Sequence, residues 1–149
     1  MRILYKLDKA YISQLHKLYK EEWWTKSRTV EETKKVVDNS QIIIALIDEK
    51  DVLVGFVRVL TDYMFKAIIF DLIVCESQRG KGLGKELLSL VQTHKDLQDV
   101  KHFELYCLDE MVEFYEGFGF SLDVGDVKLM RYTIIDESRI DELTKKHLN

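Results

Sequence analysis

Three glycines, Gly80, Gly82 and Gly84, fall within five residues where an apolar stretch ends and a helical pattern begins. Before them, Ala67 to Val74 is almost continuously apolar, the pattern of an interior strand buried on both faces. After them, Lys81 to His94 carries Leu83, Leu87, Leu90 and Val91 on one helical face. The chain must therefore turn sharply from a buried strand into a helix, and glycine lets the backbone do so while leaving room for a ligand. The free amides at a helix start, with the positive end of the helix dipole, form an anion site. Arg79, Lys81 and Lys85 add charge, and a pyrophosphate suits such a turn. A glycine-rich turn without ligand has the same spacing. A dinucleotide fold requires Gly-x-Gly-x-x-Gly closing the first strand–helix unit. A phosphate loop of the Walker type requires Ser or Thr after Gly-Lys, where this chain has Glu86.

The pattern elsewhere predicts a short strand over Ile3–Leu7 and a helix capped by Asp8 with Ile12, Leu15, Tyr19 and Trp23 recurring on one face. Thr29 to Glu32 has capping-box spacing and starts a second helix reaching about Asp38. Strands follow at Ile42–Ile47, Val52–Leu60 (its alternation broken at Gly55) and Ala67–Val74. Beyond the glycine turn the pattern predicts a strand at His102–Cys107. A helix capped by Asp109, with Met111, Phe114, Tyr115 and Phe118 inward, ends at Gly119. A last strand at Val127–Ile135 closes the sheet. Antiparallel strands followed by a strand–helix–strand crossover imply a mixed α/β architecture with helices on both faces. No repeat or linker interrupts the chain, which reads as one domain over 1–149.

With 46% hydrophobic and 32% charged residues the composition is that of a globular domain. A net charge of −4 and a pI near 5.6 argue against nucleic-acid binding, which needs a basic face. No apolar run approaches a membrane span, and the start of the chain lacks a signal-peptide pattern. Cys75 and Cys107 are too few for a disulfide scaffold, so a reducing cytoplasm is the expected location, with no membrane partner. The four histidines have no metal-ligand spacing.

The segment Arg79, Gly80, Lys81, Gly82, Leu83, Gly84 resembles the Arg/Gln-x-x-Gly-x-Gly/Ala acetyl-CoA motif of the GNAT superfamily of N-acetyltransferases. Further on, Phe114, Tyr115, Glu116, Gly117, Phe118, Gly119, Phe120 resembles that family's Phe-Tyr-x-x-x-Gly-Phe segment. The resemblance covers roughly residues 1–135. It implies a mostly antiparallel sheet with a central, splayed parallel strand pair. It implies acetyl-CoA as co-substrate, bound by the backbone of Leu72, Ile73 and Val74 and by the turn Arg79–Gly84 with Lys85, and no metal. The family often has a proline after the first splayed strand, where this chain has Cys75 and Glu76, and an asparagine before the motif tyrosine, where it has Leu108. The second departure removes a common cofactor contact.

Acetyl transfer to an amine needs a neutral amine, a polarised thioester carbonyl and a proton for the leaving thiolate. By resemblance Tyr115 donates the proton and the Val74 N–H polarises the carbonyl. Asp71 is the candidate base or amine-orienting group, with Glu104 next. A carboxylate in an apolar strand is expected to have a raised pKa if buried, although Asp71 also suits a structural acceptor or a partner for Arg58. Trp23 and Trp24 are expected to split, one packing inward and one toward an acceptor whose ammonium an aromatic face would attract. Arg28 is a candidate for reading an acidic group. The expected activity is transfer of acetyl to a primary amine of a small molecule or peptide. The alternatives are a non-catalytic acyl-CoA-binding module and a protein lysine or N-terminal acetyltransferase.

Residues 136–149 extend past the family-like sheet. Ile140, Leu143 and His147/Leu148 share a helical face, and Glu137 and Asp141 early with Lys145 and Lys146 late suit the helix dipole. A helix this short is marginal alone and must pack on its own domain or on a second subunit, so a homodimer is a candidate assembly. Removing residues 137–149 should lower the melting temperature or shift the mass seen by light scattering. A truncated protein identical in both would make the tail merely solvated.

Overall fold

The computed structural model describes residues 1–134. The tail expected to form a helix and a dimer contact lies outside the described residues. The chain falls into two compact units, Met1–Val112 and a second from Glu113 onward.

In the first unit five strands form one sheet in chain order: β1 (Arg2–Leu4), β2 (Ile42–Ile47), β3 (Leu53–Thr61), β4 (Lys66–Val74) and β5 (His102–Leu105). The pairs β1–β2, β2–β3 and β3–β4 are antiparallel, and β4–β5 is parallel. This is the expected mixed sheet with its parallel pair. Helix α1 (Lys9–Tyr19) starts at Asp8, whose carboxylate accepts from the Tyr11 N–H at 2.9 Å. Helix α2 (Val30–Asp38) starts on a complete capping box. The Thr29 hydroxyl accepts from Glu32 N–H at 3.0 Å, and Glu32 Oε1 accepts from Thr29 N–H at 2.9 Å.

One sheet face packs on α1 and α2 through Ile12, Leu15, Tyr19, Val37, Ile43, Phe56 and Ile73. Helix α3 (Leu83–Gln92) covers the other, burying Leu83, Leu87, Leu88 and Val91. A Cβ on Gly55 would stand 3.2 Å from Leu87 Cδ1, so the break in β3's alternation marks where α3 comes closest.

Two departures from a regular ladder shape the sheet. Phe56 faces Ile73 and Arg58 faces Phe70, so Asp71 and Leu72 together oppose Val57. This is a β-bulge, and its residue Asp71 has φ 56°, left-handed backbone rare for any residue but glycine. The second departure follows from it. The β4–β5 register runs from Lys66↔His102 to Ile69↔Leu105 and stops. From Phe70 to Val74 the outer edge of β4 has no strand beside it in this unit.

The first unit ends in a single 3-10 turn over Asp109–Met111, and α4 (Val112–Glu116), which starts on its last residue, carries the chain into the second unit. The expected Asp109 cap is not formed, because that residue lies inside the turn. Gly119, at φ 90°, ends the helical segment as expected. Phe114 contacts both Tyr115 and Phe118, and Tyr115 contacts Phe120, with ring centroids 5.1–6.0 Å apart. The strand expected over Val127–Ile135 is not formed within its described part. Met130 and Tyr132 are 90% and 92% exposed, and among the described residues no strand pairs with this segment. Apolar alternation makes a strand only where a neighbouring edge accepts its backbone groups.

Candidate active site

Chain direction and the bulge together fix the open edge of β4. Cys75 N–H donates to the Val54 carbonyl at 2.8 Å, so Cys75 and, two residues back, Ile73 aim their backbone groups at β3. Leu72 and Val74 therefore aim theirs at the open side. Of the three residues expected to pair with an extended ligand, Leu72 and Val74 offer backbone groups there. Ile73 uses its own within the sheet and packs its side chain in the core.

The strand runs through a 3-10 turn (Glu76–Gln78) into the glycine segment and α3. Gly80 and Gly82 have φ 80° and 81°, and Gly82 is the N-cap of α3. A Cβ on either would meet nothing within 4 Å, so space lies in front of the helix start. Among the described residues no backbone carbonyl accepts from the N–H of Gly80, Lys81, Gly82, Leu83 or Gly84. Arg79 N–H is spent on the Glu76 carbonyl at 3.3 Å. Lys81 Nζ lies 3.4 Å from Gln78 Oε1. Unpartnered amides at a helix N-terminus, facing open space, fit a pyrophosphate.

The Arg79 side chain ties this turn to the segment between α1 and α2. Its Nε donates to the Val74 carbonyl at 3.2 Å, and its guanidinium meets Glu22 at 2.6 Å. Glu21 Oε1 accepts from the Glu76 N–H at 2.9 Å. Residues 20–28 are thus pinned beside the open edge at both carboxylates.

Trp23 and Trp24 do not split. Each is 42% exposed, and their rings meet edge to face at 5.8 Å. The side chain that turns inward is Thr25, fully buried, its hydroxyl donating to the Tyr19 carbonyl at 2.6 Å. A buried hydroxyl that caps a backbone carbonyl takes the inward position and turns both indoles out.

Asp71 is buried, on the α1–α2 side of the sheet. Its carboxylate accepts from Tyr19 Oη (2.9 Å), Arg28 (2.6 and 3.2 Å) and Arg58 Nε (2.7 Å). Arg28 also lies over the Tyr19 ring and Arg58 over the Phe70 ring. Burial alone pushes a carboxylic acid up, the direction expected from the sequence. Here the hydrogen bonds and charge of Arg28, then of Arg58, outweigh burial and hold Asp71 below its ordinary value. That corrects the expectation of a raised pKa. Burial, then the Asp71 charge, pushes Tyr19 up, so it stays a neutral phenol. Asp71 is an anion with its oxygens engaged, a poor proton acceptor. The sequence named Arg58 as one partner; Tyr19 and Arg28 were missed because they come from α1 and the following segment. A lone arginine between valines in an apolar strand was the visible signal, since a buried cation needs an anion.

Glu104 pairs with Lys66 at 2.8 Å, both side chains well exposed. Its register partner is Ile68, before the bulge, so the parallel ladder keeps it in the paired part of β5. Cys75 is half-buried and Cys107 exposed. Burial, then the Asp109 charge, raises the Cys107 pKa. Tyr115 belongs to the second unit and sits in the aromatic cluster already described.

The family model described as "Acetyltransferase (GNAT) domain" matches residues 8–130. An uncharacterized N-acetyltransferase, ycf52, of Gracilaria tenuistipitata var. liui is 31% identical over 122 residues, 80% of this chain and 66% of that protein. The chain spans just under two thirds of the length of such curated relatives. A putative acetyltransferase of the same family from Xanthomonas campestris superposes with a TM-score of 0.76 at 26% identity. The match covers 89% of this chain and 92% of that one. An aminoglycoside 6'-N-acetyltransferase complexed with coenzyme A shares the fold, with a TM-score of 0.61 at 21% identity over 70% of this chain and 61% of that one.

Asp71 sets a pH dependence. Its folded pKa lies below the ordinary value near 4, so its contribution is complete above that pH and is lost as pH falls through the folded value. Asp71→Asn should lower stability at pH 7 by about 3 kcal/mol, because two guanidiniums lose their anion. It should also flatten the stability curve between pH 5 and 3. Scanning calorimetry across that range checks both, and an unchanged melting temperature at pH 7 would refute the account.

Proposed function

The chain belongs to the GNAT acetyltransferase family, and from that premise we propose that it moves an acetyl group from acetyl-CoA to a primary amine of a small molecule or peptide by direct attack. The observation that carries this reading is the open backbone edge of β4 followed, after one 3-10 turn, by amides from which no backbone carbonyl of the described residues accepts. Leu72 and Val74 offer strand-type pairing to an extended amide-bearing arm. The amides of Gly80 to Gly84, with Lys81 and Lys85 nearby, suit a pyrophosphate. When bound, acetyl-CoA supplies the acetyl group as an activated thioester.

The chain's own residues do the rest. The Val74 N–H, aimed at the open edge, donates to the thioester carbonyl oxygen and stabilises the charge that develops there. Tyr115, on the strength of its place in the family's Phe-Tyr segment, gives its hydroxyl proton to the departing sulfur. Asp71 acts as a positioning residue: it holds Arg28 and Arg58 in place and leaves the amine's proton to solvent. Glu104, paired with Lys66, is the remaining carboxylate near the splay. Trp23 and Trp24, half-exposed on the same 20–28 segment as Arg28, contribute an aromatic face to the acceptor side. Two free cysteines, one of them exposed, suit a reducing compartment such as the cytoplasm. Among the described residues no helix is long and apolar enough to cross a membrane.

Gly82→Val places a β-branched residue at φ 81° and a side chain in the space before the helix. Acetyl-CoA binding should disappear by calorimetry while circular dichroism stays native; unchanged affinity in a folded variant would sink the cofactor assignment. Tyr115→Phe should keep acetyl-CoA affinity and lower kcat by on the order of 10²-fold, the scale of general acid catalysis. A rate within a few-fold of wild type would leave Tyr115 a packing residue.

A further inference from the structure

Beside the open edge stands a charge imbalance that the transfer reaction does not use. Among the described residues Arg28 and Arg58 converge on one carboxylate, Asp71, so two cations meet one anion and +1 remains. Tyr19, with its pKa pushed up, adds no charge. The other carboxylates on residues 20–28 are engaged elsewhere, Glu22 with Arg79 and Glu21 with the Glu76 amide. The side chains are 4% exposed at Asp71, 11% at Arg58 and 23% at Arg28, so access to the excess charge is through Arg28. Asp71 occupies one N–H on each of two Arg28 nitrogens and the Nε–H of Arg58, and a further Arg58 N–H donates to Ser40 Oγ at 3.5 Å. Each guanidinium carries five N–H groups, so donors remain on both. Phe70, under the Arg58 guanidinium, meets Tyr106 edge to face at 5.7 Å and walls the same place.

We propose that the acceptor is an amine that also carries an anionic group, a carboxylate or a phosphate ester, and that Arg28 with Arg58 binds this group. The inference rests on the transferase reading above and deepens it. A half-buried cation in excess is costly until an anion completes it, and a guanidinium fork is the side chain best shaped for a carboxylate or phosphate. Asp71 holds the forks in place. An incoming anion therefore meets donors that are already oriented. Asp71 stands three residues before Val74, roughly 10 Å along a strand. An acceptor spanning the two places its anion several bonds from its amine.

The test compares thiol release from acetyl-CoA with 4-aminobutyrate and phosphoethanolamine against 4-aminobutanamide and ethanolamine, which lack the anion. At least one anionic amine should be preferred in kcat/KM by on the order of 10- to 100-fold, the scale of a charge-assisted hydrogen-bond pair. The arm that wins tells carboxylate from phosphate. Arg28→Gln should reduce the preference to a few-fold, and Arg28→Lys, which keeps the charge and loses the fork, should retain part of it. Equal turnover of the charged and uncharged members by the wild type overturns the proposal, as does a preference that neither variant moves. If none of the four is acetylated, and neither anionic amine shifts the Nε–H NMR signals of Arg28 and Arg58 in the CoA-saturated protein, the proposal also falls. Calorimetric binding of acetyl-CoA in that case leaves the transferase reading standing, whereas its absence overturns both.

Discussion

Asp71 adopts a left-handed backbone in the interior of a buried strand, a conformation that costs roughly 1–2 kcal/mol for a residue with a side chain. Such a conformation persists only where its surroundings over-determine it. Here a phenol and two guanidiniums close on the carboxylate, from α1, from the segment after it and from β3. The bulge and the ion cluster support each other. The bulge brings Phe70 and Asp71 both to the α1–α2 side, where Arg58 stacks on one ring and bonds the other's carboxylate. The cluster, in turn, holds the backbone in a state it would otherwise leave.

From that one distortion the rest of the site follows. Bulges bend a strand and increase its local twist. Beyond the bulge β4 no longer runs beside β5, and the register between them ends at Ile69. Leu72 and Val74 are left with backbone groups facing outward, near a turn from whose amides no backbone carbonyl of the described residues accepts. Arg79 joins the two by bonding the Val74 carbonyl, and its pairing with Glu22 reaches the segment that also supplies Arg28. The glycine turn and residues 20–28 are therefore linked through Arg79 and, beside it, through the Glu21–Glu76 hydrogen bond, and a shift of residues 20–28 cannot leave the turn unaffected.

The charges show why local reading misjudged the ionisation of Asp71. Asp71 and Glu104 both lie near the splay in sequence, and both are carboxylates. Parallel register sets Glu104 against Ile68, where it meets Lys66 in solvent. Asp71 is buried, yet two cations lower its pKa against the effect of burial. Burial and ion pairing push in opposite directions, and which prevails depends on partners distant in the chain.

What the sequence by itself determined was whatever depends on neighbours along the chain. The glycine turn, the capping box at Thr29, the Asp8 cap, the apolar strands and the face of α3 are set by local sterics, hydrogen bonds within a few residues and periodic burial, and all were legible. Tertiary structure alone decided what depends on residues far apart. Thr25 took the inward place against the end of α1 and turned Trp23 and Trp24 out. Arg28 and Tyr19 joined Arg58 on Asp71 and made a candidate base into a fixed anion. Val127–Ile134 has a strand's alternation but gained no ladder among the described residues, because alternation fixes which side chains share a face and says nothing of whether a partner edge is there to bond.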